Sequence, residues 1–252
     1  MRSILRYGLL ALVAFLLFLL LLAPAQLVTD GLSAYLPKFK VHKATGTAIN
    51  GVGWGIDWHG VHIDRLSWRW QSLALLSGWL ELDLKVQDAK FPLTSKVAIA
   101  PSGRLRFKDV TGQLPLTKLA KLVGQRLPVT GILRPDLQNL YLDSAKRPQA
   151  AHGEIQVLNL RTRSRQPLTL GDFTIQLRSL EPEGIQGLIT DNNAPLILKA
   201  TLQFMPDGRY HFNGEAAIRD PDNRKLQQLT KWLGTANAQG RWNLKFSGIL
   251  AR

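Results

Sequence analysis

Residues 80–87 read Leu80-Glu81-Leu82-Asp83-Leu84-Lys85-Val86-Gln87, an aliphatic side chain at every other position and a polar one between. Successive side chains of an extended chain point to opposite faces, so this pattern makes one wholly apolar face and one wholly polar face. A helix would scatter the same residues around its circumference. The segment reads as a half-buried strand, and the same spacing recurs in Leu66/Trp68/Trp70, Leu105/Phe107, Phe173/Ile175/Leu177, Leu196/Leu198/Ala200/Leu202/Phe204 and Trp242/Leu244/Phe246. One-sided strands of this kind belong to antiparallel sheets with one covered face, so the expected fold is mainly β.

Helical spacing occurs in two places. Leu116, Leu119, Leu122 and Val123 are followed by Gly124, and Leu226, Leu229, Trp232 and Leu233 by Gly234. Both predict short amphipathic helices stopped by glycine. Each follows a turn and strand of one design: Pro101-Ser102-Gly103-Arg104 before Leu105-Arg106-Phe107, and Pro206-Asp207-Gly208-Arg209 before Tyr210-His211-Phe212. The repeated order predicts an internal duplication, with halves at about 44–145 and 150–252 and a short insertion near Arg219-Asp220-Pro221-Asp222-Asn223. The weakest joint between them is the stretch from Asp143 to Gly153 around Pro148.

Ahead of the alternating region, Arg2 and Arg6 precede an unbroken apolar run of 18 residues, 8–25. As a helix it reaches roughly 27 Å, enough to cross the hydrocarbon layer of a bilayer. Ala23-Pro24-Ala25 has the small residues of a secretory cleavage site, but the proline and the length of the run favour an uncleaved anchor. The positive-inside rule then makes 1–7 a cytoplasmic tail, 8–25 a single-pass anchor and 26–252 an exported β-rich domain. The chain carries a formal charge of +14 and no cysteine, which removes disulfides, thiolate catalysis and cysteine zinc sites together. Such a basic surface suits anionic lipid headgroups or an acidic partner; outside the cytoplasm nucleic acid is not an expected ligand.

The strongest enzymatic suspicion is His59 and His62 with Asp57 and Asp64 nearby, since imidazole and carboxylate together hold zinc or iron. Gly51, Gly53, Gly55 and Gly60 preclude a stable helix there, and in an extended chain residues three apart face opposite ways, so exposed polar residues around a sharp turn are the simpler reading. Nucleophile-elbow, phosphate-loop and dinucleotide motifs are missing from the sequence. No catalytic residue, metal or cofactor is expected. Two groups remain as candidate partner contacts. Arg161, Arg163 and Arg165 can seat phosphate headgroups or acidic side chains, or can be the solvated end of a strand. Five of the seven tryptophans fall between Trp54 and Trp79; Trp68 and Trp70 share a face with Leu66, whereas Trp54 and Trp58, among glycines and charges, are harder to bury.

With these residues in view, the chain resembles the protein N family of the bacterial type II secretion system. The resemblance is carried by the N-terminal apolar run, Gly46-Thr47 leading into Gly51-Val52-Gly53-Trp54-Gly55, Leu66-Ser67-Trp68-Arg69-Trp70 feeding Leu75-Leu76-Ser77-Gly78, Gly112-Gln113-Leu114-Pro115-Leu116 with Leu119, and Pro206-Asp207-Gly208-Arg209-Tyr210. It implies a curved, partly open, half-barrel-like sheet akin to the AsmA-like group, wrapping an apolar groove. It further implies a non-enzymatic accessory component of the inner-membrane platform, with its bulk in the periplasm, working with other platform subunits at the bilayer to support export of folded proteins. Two rivals share the alternation. A lipid-handling module would leave the apolar face open to acyl chains, and an outer-membrane barrel would need evenly spaced strands of about ten residues with aromatic girdles, which this sequence lacks.

Overall fold

The computed structural model describes residues 22–71, 78–124, 127–230 and 236–249, together with Tyr7, Gly8, Ala11, Phe15 and Ala74; the side chains of 228–230 lie outside that description. Helix α1 (Ala25–Tyr35) is followed by β1 (Lys40–Gly46), β2 (Asn50–Trp58), β3 (Val61–Gln71), β4 (Leu80–Gln87), β5 (Leu93–Ile99), β6 (Leu105–Gly112) and the two-residue β7 (Leu114–Pro115). Helix α2 (Leu116–Leu122) leads to β8 (Val129–Leu142), β9 (Pro148–Thr162), β10 (Thr169–Leu180), β11 (Gly184–Asp191), β12 (Leu196–Phe204) and β13 (Arg209–Ile218). Helix α3 (Arg224–Thr230) precedes β14 (Arg241–Ile249). All fourteen strands form one sheet in chain order, β7 alone lying off the path beside β8. The fold is mainly β, as its period-two pattern predicts, and the strand order of the described residues runs as an open sheet from β1 to β14.

Both helices begin where their spacing predicts; the end of the second, at Trp232 to Gly234, lies outside the described residues. Most of the apolar run 8–25 does so too, and the expected anchor with it. Among the described residues no helix is long and apolar enough to cross a membrane. The 143–153 stretch, read from sequence as a weak joint, is instead a tight hairpin followed by strand: the Asp143 N–H donates to the Arg147 carbonyl at 3.0 Å, and β9 starts at Pro148. It connects the two longest strands, which stay paired from Val129↔Thr162 to Leu142↔Pro148.

The same turn is built at Ala100 to Arg104 and Met205 to Arg209. In each, the first residue's N–H donates to the arginine carbonyl and receives a bond at its own carbonyl from a glycine in the left-handed region, Gly103 (φ 80°) or Gly208 (φ 93°). That is a turn closed by a glycine bulge, which sets hairpin register. The meander gives the sheet two ends. The proximal end gathers the hairpins at 100–104, 143–147 and 205–209 and the β1–β2 turn, where Pro24 bridges Thr47 and the Ala48 N–H donates to the Ala23 carbonyl at 2.7 Å. The distal end carries the Trp58–Val61 turn, α2, the loop after β9 and α3.

The packed core lies distally. Leu116 of α2 and Leu226 of α3 close onto Val157, Leu170, Phe173 and Ala194, with Ile175, Leu196 and Ile218 against them. A second contact ties α2 to the first strands: the Lys118 ammonium sits 3.3 Å from the Phe91 ring centroid, 3.8 Å from the Asp88 carboxylate and 3.2 Å from the His62 carbonyl. Burial, outweighing the attraction of Asp88, holds the Lys118 ammonium below the usual lysine range. Away from the two helices the apolar face is less covered. Leu80, Leu82, Leu84 and Val86 are all half-buried.

Gly51 and Gly53 alternate inward on β2 because the Trp68 ring lies flat against them: a Cβ on Gly51 would stand 2.4 Å from the indole, whose N–H donates to the Ala48 carbonyl at 3.0 Å. Substituting Gly51→Ala should therefore lower stability by about 1–3 kcal/mol. Thermal unfolding followed by circular dichroism checks it; an unchanged midpoint would mean that Trp68 moves aside at no cost.

Candidate functional site

Strand β2 places the two candidate tryptophans on opposite faces. Gly53, Ile56, Val41 and Trp68 crowd one side, since a Cβ on Gly53 would touch all three neighbours within 3.6 Å. Gly55 adopts φ +60° and breaks the alternation there. Ile56 and Trp58 consequently share the face of Gly53, and the Trp58 indole nitrogen is buried. Trp54 faces the other way beside its partners Lys43 and Arg65, with the Arg65 guanidinium 5.7 Å from its ring centroid.

The histidines are also separated. His59 occupies the β2–β3 turn at φ +48°, its ring edge-on to Trp58 at 5.5 Å. His62 lies on β3 opposite Asp57, with Nδ1 2.8 Å from Oδ1 of Asp57 and Nε2 3.7 Å from Asp64. His42 completes the row, its Nδ1 2.6 Å from the Gly55 carbonyl. The side chains of His42, Asp57, His62 and Asp64 are solvent-facing and His59 is half-buried, and among the described residues no three His, Cys, Asp or Glu groups are placed to share a metal ion. A depression of about 470 Å³ on the polar face, bordered by Ser67, Asp83, Lys85, Ser95, Lys96 and Thr111, brings no base into contact with a nucleophile.

Arg161 is the penultimate residue of β9, and Arg163 and Arg165 lie in the loop beyond it, so the three do not form one strand face. All are exposed, none has an acidic partner among the described residues, and the loop is fixed by its own bonds: Thr162 N–H to the Leu168 carbonyl at 3.0 Å and Arg163 N–H to the Pro128 carbonyl at 2.6 Å. This makes a basic loop at the distal end.

A second basic group, not singled out from the sequence, gathers at the proximal end. Trp79, just before β4, lies under Arg104 and Arg106, whose guanidinium carbons are 5.6 and 4.4 Å from its ring centroid. Tyr141, the cross-strand partner of Arg106, adds a second ring 6.4 Å from the first. On the adjacent hairpin Lys146 donates to the Gly103 carbonyl at 2.7 Å. The nearby acids are already engaged. Burial alone would raise the Asp143 carboxyl, but the backbone N–H and guanidinium of Arg147 outweigh it and hold Asp143 below the ordinary carboxylate range. The Arg209 backbone N–H and guanidinium do the same to Asp207. Arg104, Arg106 and Lys146 have no such acid among the described residues. Arg104-Leu105-Arg106 reads in sequence as the polar face of a strand, and only the β6–β8 register reveals the aromatic partners.

Comparison with known families decides what kind of scaffold this is. The family described as Type II secretion system (T2SS), protein N, matches residues 37–245. The chain belongs to that family. A curated relative, the Type II secretion system protein N of Aeromonas hydrophila, is 24% identical over 247 residues, covering 94% of this chain and 95% of its own. No solved structure matches the chain. This member of the protein N family is thus an accessory component of type II secretion built on an open antiparallel sheet.

Proposed function

We propose that this protein is a non-enzymatic component of the inner-membrane platform of the type II secretion system. It is held by a single-pass anchor at 8–25, with 1–7 in the cytoplasm and 26–252 in the periplasm as two duplicated halves near 44–145 and 150–252. It acts by contact with other platform subunits and supports export of folded proteins across the outer membrane. The family match across 37–245 carries this reading. The recurrence of strand, glycine-closed turn, strand and short helix at 93–122 and 196–230 supports the duplication. In this reading the exposed Arg161, Arg163 and Arg165 loop meets an acidic surface of a partner subunit, and Trp54, stacked with Arg65 on the polar face, extends a contact surface; Trp58 packs inward and supports its own turn.

Co-purification of the tagged chain from gently solubilised membranes tests the proposal: other secretion subunits should stay bound, and their absence would remove the platform role. Replacing His59 and His62 together by alanine should leave secretion unchanged, because His62 pairs with exposed acids and His59 lies edge-on to Trp58 in a turn. Loss of secretion at matched abundance and preserved folding would make proton transfer there the leading idea. A second reading, lipid handling on an AsmA-like sheet, is favoured by the half-buried apolar residues that the two helices leave uncovered, such as Leu82 and Leu84. Phospholipid recovered in stoichiometric amount without secretion subunits would favour it.

A further inference from the structure

We propose that Trp79, Arg104, Arg106 and Tyr141 form a docking surface for anionic phospholipid headgroups that seats the proximal end of the sheet on the bilayer. The inference rests on the anchored reading above and adds an orientation to it. Its starting point is where the chain enters the fold. Pro24 bridges Thr47 and Ala23 receives the Ala48 N–H, so the apolar run ends against the β1–β2 turn, at the same end as the 100–104 and 143–147 hairpins. A bilayer holding that run faces this end.

The chemistry there matches a membrane interface. Tryptophan and tyrosine combine an apolar ring with a polar atom and settle at headgroup depth. Arg104 and Arg106 stack on Trp79, which orients the planar guanidinium groups while leaving N–H edges to fork onto phosphate oxygens. Lys146 adds charge beside them, while Asp143 and Asp207 are neutralised by Arg147 and Arg209. Glu181 and Glu183 lie on the β10–β11 turn at this end, nearer β14, which confines the surface to the hairpins closest to the anchor. The more obvious basic loop is excluded by distance. Strand β8 has 14 residues and pairs with Arg161 at one end and Pro148 at the other, so the Arg161–165 loop stands roughly 40 Å from the proximal end at about 3.3 Å per residue. That is several times the screening length of about 8 Å at physiological salt.

The absence of cysteine allows a single reporter to be introduced. The full chain carrying Ser144→Cys or Ser164→Cys is labelled with a fluorophore and reconstituted into phosphatidylcholine vesicles with and without phosphatidylglycerol, each containing a headgroup-nitroxide lipid as a short-range quencher. The Ser144 label should be quenched strongly, and more so with phosphatidylglycerol; the Ser164 label should stay bright. R104Q/R106Q, with its circular dichroism unchanged, should weaken seating about thirtyfold, and high salt should do likewise to the unaltered sequence, which keeps the test open if the variant fails to fold. Equal quenching of the two labels, indifference to phosphatidylglycerol, or retention of quenching in the folded variant would each overturn the docking surface. Alkaline carbonate extraction reports the anchor separately. A chain that resists extraction with an unquenched Ser144 label loses only this inference; one that is extracted yet quenched keeps it and loses the anchor; one that is extracted and unquenched loses both.

Discussion

Replacing Phe173 by alanine should lower the free energy of unfolding by about 3–5 kcal/mol, the range for removing a buried aromatic ring. Phe173 is 3% exposed and sits where β10 meets both helices, in one cluster with Leu116 and Leu226, the strand residues Val157 and Leu170, and Ala194 of the β11–β12 loop. Neighbouring strands are fixed by their backbone ladder and cannot collapse into the space, so the lost transfer energy and the cavity both count. For a domain of this size the melting midpoint should fall by roughly 6–20 °C. Chemical denaturation of the full chain in mild detergent measures it. A loss below about 1 kcal/mol would mean that the core is not where the burial pattern puts it.

Changing Lys118 to methionine should cost about 3–5 kcal/mol, less whatever solvent reaches the site, because it strands the Asp88 carboxylate, only 6% exposed, without its cation. Burial costs the Lys118 ammonium more than the attraction of Asp88 returns, which lowers its pKa, so the lysine's charge adds little net stability even though stranding Asp88 is expensive. The sign with pH follows: below its folded pKa the charged Lys118 carries a burial cost that is relieved as pH rises through that value toward 10.5, and it leaves no acid-side dependence. The double change D88N/K118M should recover most of the loss. A double variant as unstable as K118M alone would assign the effect to the lysine's contacts with Phe91 and the His62 carbonyl instead.

Strands that face a covered side on one surface and water on the other announced themselves, as β4, β10 and β12 do, because polarity alternates wherever burial does. Strand β2 did not. Its glycines read as turn residues, although Gly51 and Gly53 are small because a tryptophan from the next strand lies on them, and no local pattern encodes a neighbour seventeen residues away. Strand β8 was hidden by Pro135, which sits within its ladder opposite Ile155, and β11 by Gly184 and Gly187, the latter pressed against Leu177 and Ile175. The same reasoning applies to the candidate contacts. Arg161, Arg163 and Arg165 were visible as a run, while the Trp79 cluster is assembled from three separate segments whose registers only the folded sheet supplies.

Because each strand lies beside its predecessor in sequence, every partner a new strand needs is already present on its N-terminal side. A chain emerging N-terminus first from a ribosome or a translocation channel can add strands one at a time, without waiting for a distant segment to close the sheet. Loop closure at each addition is short, so its entropic cost is small. The growing edge stays unpaired until the following strand arrives; among the described residues β14 is the last strand so added, and it carries Arg241 and Lys245 at exposed positions, charges that discourage another chain from continuing the same addition.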